Sequence, residues 1–219
     1  MTDELTPLVG RIADIIQQAR SRVRQSVISA MVASYWEIGR LIVEHEQQGQ
    51  ARAEYGKRQL AELSERLTEQ FGKGFDASNL RNMRQFHLAF PIRDALRHEL
   101  SWTHYRTLLR VEGQAAREWY AREAISQNWS TRALERQIGV LYYERLLSSK
   151  DKALVATEAT ERIAPLAESP KDFLRDPYIL DFLNLQDKTY QESTLEQAII
   201  DNIQSFLLEL GKGFAFVER

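Results

Sequence analysis

Between residues 78 and 85 the chain reads Ser-Asn-Leu-Arg-Asn-Met-Arg-Gln. Arg81, Asn82, Arg84 and Gln85 are the side-chain types whose donor geometry suits guanine and adenine edges. On a helix, Ser78, Arg81, Asn82 and Gln85 fall at i, i+3, i+4 and i+7 and so share one side. Ser78, Asn79, Arg81, Asn82, Arg84 and Gln85 are therefore the first candidates for nucleic-acid contact; the competing reading is a solvated polar face. A weaker set follows at Thr131, Arg132 and Arg136, weakened by Glu135, which would repel phosphate. An ion pair of Glu135 with Arg132 or Arg136 is the expected arrangement there. The four tryptophans, Trp36, Trp102, Trp119 and Trp129, have faces on which bases could stack, but each sits beside apolar periodic positions and is expected in the core. Glu196 is the one carboxylate with a catalytic reading. It also closes a Ser193-Thr194-Leu195-Glu196 capping box, a purely structural role. No Ser/His/Asp arrangement, phosphate loop or GxGxxG is present, and Gly211-Lys212-Gly213 is too short for a Walker loop.

Composition narrows the chemistry further. The 219 residues contain no cysteine, which removes disulfides and thiolate ligands and points to a reducing cytoplasm. His45, His87, His98 and His104 form no close-spaced ligand pair, so a zinc site is not expected and no cofactor is expected in this chain. The N-terminus lacks a basic stretch followed by an apolar run, and no segment reaches some eighteen consecutive apolar residues; neither export nor a membrane partner is expected. The net charge of −2 is unevenly spread: residues 1–150 carry 22 Lys and Arg against 18 Asp and Glu, and residues 151–219 carry 7 against 13. Nineteen of the 22 are arginine, the better bidentate phosphate ligand.

The elements that must position these residues are helical. From Pro7 to about Gln48, Leu8, Ile12, Ile15, Ala19, Val23, Val27, Met31, Tyr35, Ile38 and Ile42 recur at steps of three and four, predicting one long helix or two nearly collinear ones. A second helix, roughly Arg52 to Phe71, carries Leu60, Leu63, Leu67 and Phe71 and ends at Gly72-Lys73-Gly74. A helix as long as the first must bury its stripe on the second helix or on another copy of the chain, so a homodimer is expected. A short helix beginning at Asp76 or Ser78 completes a helix–turn–helix pattern, with Pro91 ending it. A further helix starts near Ser101, another runs from Ala115 to about Gln127, and Asn128-Trp129 turns the chain into a helix restarting at Ser130. Small and polar residues from Lys150 to Pro170 read as a linker. Beyond it lie Pro177–Leu183, the capped helix after Ser193, and Phe214-Ala215-Phe216-Val217, which reads as a strand. A lone strand makes no sheet, so the rest of its domain is expected to be missing. The fold class expected is all-α: long N-terminal helices, a helix–turn–helix-like or winged-helix-like bundle, and a C-terminal helix and strand from an incomplete α/β core.

Several ordered motifs closely resemble the YhcG-like bacterial proteins: Tyr35-Trp36-Glu37-Ile38-Gly39-Arg40, Phe71–Phe75 with Asn79–Arg84, Leu100–Tyr105, Trp129–Ile138 and Phe206–Val217. The resemblance spans nearly the whole chain. It implies a helical N-terminal DNA-binding domain followed by a PD-(D/E)XK nuclease domain; with the dimer and linker read above, the expected organisation is a DNA-binding and dimerisation domain over residues 1–150, a linker over 151–172, and the start of the nuclease domain over 173–219. It also implies a Mg²⁺-dependent deoxyribonuclease as the parent protein. In such folds an aspartate on one strand and an ExK pattern on the next hold the metal and orient water. By the resemblance both strands lie beyond position 219, and Glu196 matches a glutamate on the first helix of the nuclease core. The expectation is a chain that binds nucleic acid, DNA in preference, and does not cut it alone; the alternative is a helical protein–protein assembly module.

Overall fold

The computed structural model describes residues 5–48, 53–90, 99–166 and 176–182. All regular elements among the described residues are helical: α1 (Thr6–Gln48), α2 (Ala53–Phe71), α3 (Ala77–Ala89), α4 (Trp102–Leu108), α5 (Gln114–Ser126), α6 (Thr131–Gly139), α7 (Tyr142–Ser148), α8 (Lys152–Ile163) with a 3₁₀ turn at Ala164–Leu166, and α9 (Pro177–Phe182). The all-α expectation holds over these residues. Pro91, the helix after Ser193, Glu196 and the strand at Phe214–Val217 lie outside them. The chain divides into two compact units, residues 1–49 with 82–168, and residues 50–81 with 169–219; the division falls inside α3.

In the first unit α1 is continuous for 43 residues, as its unbroken three-and-four spacing predicts. Its second half supplies one wall of the core, where Val27, Met31, Tyr35, Trp36, Ile42 and Val43 are buried. One 18-residue window of α1 reaches a mean hydropathy of 1.2, and half of that window is buried within the protein, as in a core helix. α1 meets α3 backbone to backbone: a Cβ built on Gly39 would lie 2.0 Å from the carbonyl oxygen of Met83. No residue but glycine fits there. Trp36 donates from Nε1 to the carbonyl oxygen of Phe90 at 2.6 Å, which satisfies its polar edge. Tyr35 and Phe86 meet Trp102 edge-on, with ring centroids 5.1 and 5.3 Å apart. Trp36, Trp102 and Trp129 are buried, as expected of core residues, and Trp119 is half-buried against Tyr142 and Tyr143.

The short helices of this unit are set by their caps. Ser101 caps α4 and Ser130 caps α6; the Ser130 hydroxyl accepts from the N–H of Ala133 and donates to the carbonyl oxygen of Leu166. Residues 152–166 depart from the linker reading. Asp151 caps α8 through the N–H of Leu154, Val155 and Ala159 are buried, and Gln137 of α6 donates from Nε2 to the carbonyl oxygen of Ala159 at 3.1 Å. An alanine-rich helix buries little per residue, so its periodicity is faint in sequence although its contacts are specific.

In the second unit α2 half-buries Leu60, Leu63 and Leu67 and leaves Phe71 exposed against Phe75. Gly72 and Gly74 take φ of 83° and 99°, the left-handed conformations that end α2. A Cβ on Gly74 would also approach that of Asp181 in α9 to 3.0 Å.

Candidate nucleic-acid interface

The start of α3 is fixed by Asp76, whose Oδ1 accepts from the N–H groups of Ser78 and Asn79 at 2.9 and 3.0 Å. Within the second unit, Ser78 and Arg81 then stand exposed. Asn79 does not join them: it is 3% exposed, and its side-chain amide donates to the carbonyl oxygen of Gly74 at 2.7 Å. It ties the glycine turn to the helix instead of meeting a base. The signal was in the spacing, because Asn79 stands four residues before Met83 and seven before Phe86, both fully buried.

Within the first unit, Gln85 is exposed and Asn82 half-buried. Arg84 is half-buried and its Nε bonds Glu46 Oε2 of α1 at 2.6 Å. That guanidinium is engaged in holding α3 to α1, across 38 residues of sequence that no local pattern could bridge. Of the predicted α3 residues, Ser78 and Arg81 are thus exposed in the second unit and Gln85 in the first.

On α6, Arg132 and Arg136 are exposed, and so is Glu135. Glu135 pairs with Arg110, just after α4, at 2.9 Å, and not with Arg132 or Arg136 as expected from sequence. The pair is exposed and contributes little stability. Its electrostatic consequence is larger: Arg110 offsets the carboxylate that weakened this face, leaving Arg132 and Arg136 as cations on either side. Arg136 also helps lower the Glu158 carboxyl, whose main partner is Arg145. Arg110 is the residue sequence reasoning missed, since it lies 25 positions from Glu135.

The other titratable cluster is structural. Burial raises the Asp181 carboxyl above its ordinary value; Lys73 opposes the shift, and Asp76 and Asp176 add to it. Among the described residues no group of three or more His, Asp or Glu side chains converges as metal ligands would, so none of them is assigned to magnesium. Glu196, the carboxylate with a catalytic reading, is outside the described residues.

Residues 11–145 match the family model described as DUF1016 N-terminal domain, and residues 171–219 match that of the YhcG PDDEXK nuclease domain. The chain belongs to the YhcG-like family. A curated member, Putative nuclease YhcG of Escherichia coli (strain K12), is 37% identical over 240 residues, covering 95% of this chain. The chain spans 63% of that relative's length. No solved structure matches the chain significantly. The DUF1016 match of this YhcG-like chain runs from residue 11 of α1 through most of α7 and so includes the exposed Arg81, Arg132 and Arg136.

Proposed function

We propose that this chain is the nucleic-acid-binding and pairing portion of a PD-(D/E)XK deoxyribonuclease. In this reading, the exposed side of α3 contacts DNA and two copies act together. The observation that carries the reading is Arg81: it is an exposed arginine on a capped helix, with Gln85 one turn further along and Ser78 one turn before it. Guanidinium and amide donors at that spacing suit base edges and phosphates. Arg132 and Arg136 add cationic surface on α6. The family match and the name of the curated relative support a nuclease parent.

In this reading, grip and hydrolysis are separate. Phosphodiester cleavage needs several acidic groups gathered on a metal, whereas binding needs only the cationic and amide donors of α3 and α6. Binding of a labelled duplex by fluorescence anisotropy tests the proposal. Arg81→Glu should weaken binding tenfold or more, on the order of one lost and one repelling phosphate or base contact. Unchanged affinity in that variant rejects α3 as the contact surface.

A second reading, a protein–protein assembly module, is favoured by the exposed apolar stripe on the first half of α1. It is told apart by the same binding experiment, because an assembly module has no duplex affinity to lose.

A further inference from the structure

α9 is a six-residue helix, Pro177–Phe182, inside the stretch that matches the YhcG PDDEXK nuclease domain. Its start is well marked. Asp176 Oδ1 accepts from the N–H of Tyr178 at 2.9 Å, the Asp176 carbonyl accepts from the N–H groups of Ile179 and Leu180, and Pro177 takes the first helical position. A helix this short does not hold itself in water, so packing must hold it. Ile179 is buried, at 1% exposure. Asp181 shows one place where α9 rests: a Cβ built on Gly74 would lie 3.0 Å from Asp181 Cβ and 3.8 Å from its Cγ and Oδ2. Gly74, however, lies inside the stretch that matches the DUF1016 N-terminal domain. The family boundary and the packing boundary therefore differ: residues 50–81 and 169–219 form one compact unit, which holds both α9 and the start of α3.

The turn against which Asp181 rests is the one that starts the proposed contact helix. The Gly74 carbonyl oxygen takes the Asn79 side-chain amide at 2.7 Å, and Asp76 Oδ1 takes the N–H groups of Ser78 and Asn79. Ser78 and Arg81, both exposed, stand in that first turn and just past it. Charge ties the same groups together, since Lys73 attracts the Asp181 carboxylate and Asp76, the cap itself, repels it.

We infer that α9 seats the nuclease segment on the turn that starts α3, and that duplex binding at Arg81 and the seating of α9 strengthen each other. This deepens the proposed role of α3 and rests on it. A loosened Gly72–Gly74 turn frays the first turn of α3, and with it the placement of Ser78 and Arg81. A seated α9 holds Gly74 and keeps that turn closed. Such coupling is reciprocal, so a duplex that fixes the start of α3 must also tighten α9. Grip is thereby passed to the nuclease segment through the protein, at Gly74 and Asp181.

Hydrogen exchange of the full chain, read by mass spectrometry with and without saturating duplex DNA, tests the coupling. Duplex should slow the amides of residues 77–81 and also those of Ile179 and Leu180, the latter by about fivefold or more. A double-mutant cycle on duplex affinity tests the route. Gly74→Ala should weaken binding, partly through its φ of 99° and partly by driving Asp181 away. Asp181→Gly removes the Cβ that the new methyl group strikes, so the double variant should bind at least about threefold more tightly than the two single losses combined predict. Strain at Gly74 alone gives no such rescue. If Gly74→Ala does not fold, the exchange of the wild type decides. A wild type that binds no duplex overturns the reading of α3 and this inference with it. Protection confined to residues 77–81, or additive losses in the cycle, overturns the inference and leaves the reading of α3 standing.

Discussion

Nε2 of His104 lies 3.0 Å from the carbonyl oxygen of Trp129. A carbonyl only accepts, so Nε2 carries the proton and Nδ1 is left as an acceptor. That acceptor is used: the Ser101 hydroxyl sits 2.7 Å from it and the Ser101 N–H 3.3 Å from it. A serine–histidine contact of this length could be mistaken for a nucleophile and its base. Here the imidazole is buried and belongs to a capping box, joining the start of α4 to the turn between α5 and α6. His104→Ala should cost roughly 2–4 kcal/mol, the sum of a lost cap and a buried carbonyl left without its donor. Urea denaturation measures it, and a change under 1 kcal/mol would show that the bridge is incidental.

Two glycines of α1 should respond in opposite senses. Gly39→Ala drives a methyl group into the Met83 carbonyl, so α1 and α3 must separate; the expected loss is about 3 kcal/mol. Gly10→Ala meets nothing within 4 Å and should stabilise the helix by up to about 1 kcal/mol. Thermal melting with circular dichroism separates the two.

Arg81 and Arg84 are three residues apart and should behave differently. Arg84→Ala removes the half-buried pair with Glu46 and should lower stability by about 1 kcal/mol with little effect on duplex affinity. Arg81→Ala should do the reverse. Equal affinity losses in the two variants would mean that Arg84 leaves Glu46 when nucleic acid binds.

The alkaline limit of stability should involve Tyr120. Its hydroxyl is pushed up to about 12, chiefly by burial, from an ordinary value near 10. The folded state therefore holds this proton after the unfolded chain has released it, and stability falls as pH rises from 10 to 12. Tyr120→Phe should flatten that decline while losing the bond from the Tyr143 N–H to the hydroxyl, 3.1 Å in the wild type. Denaturation midpoints across pH 8 to 12 check both effects.

The helices were legible where a serine cap or a large-residue stripe marks them, as at Ser101, Ser130 and along α1. They were not where burial falls on small residues. α8 hides Val155 and Ala159 only, too little contrast to mark a helical periodicity among its small and polar residues. The polar site was legible as a helix face and illegible as a set of partners. Asn79 turns inward, Arg84 finds Glu46, and Glu135 finds Arg110, each through tertiary contacts or a turn that helical spacing does not encode. Gln137→Ala is the matching test of α8: losing the amide that holds the Ala159 carbonyl should make residues 152–163 protease-sensitive, whereas a true linker would already be cleaved in the wild type.

The proposed function has this chain holding nucleic acid through cationic contacts. A titration of duplex affinity against salt with the unmodified chain tests it most directly. Several arginine–phosphate contacts predict a straight log–log decline with a slope of about −0.9 per contact, so a slope near −3 or steeper between 50 and 200 mM salt. An absence of binding at the lowest salt, or an affinity indifferent to salt, would contradict it.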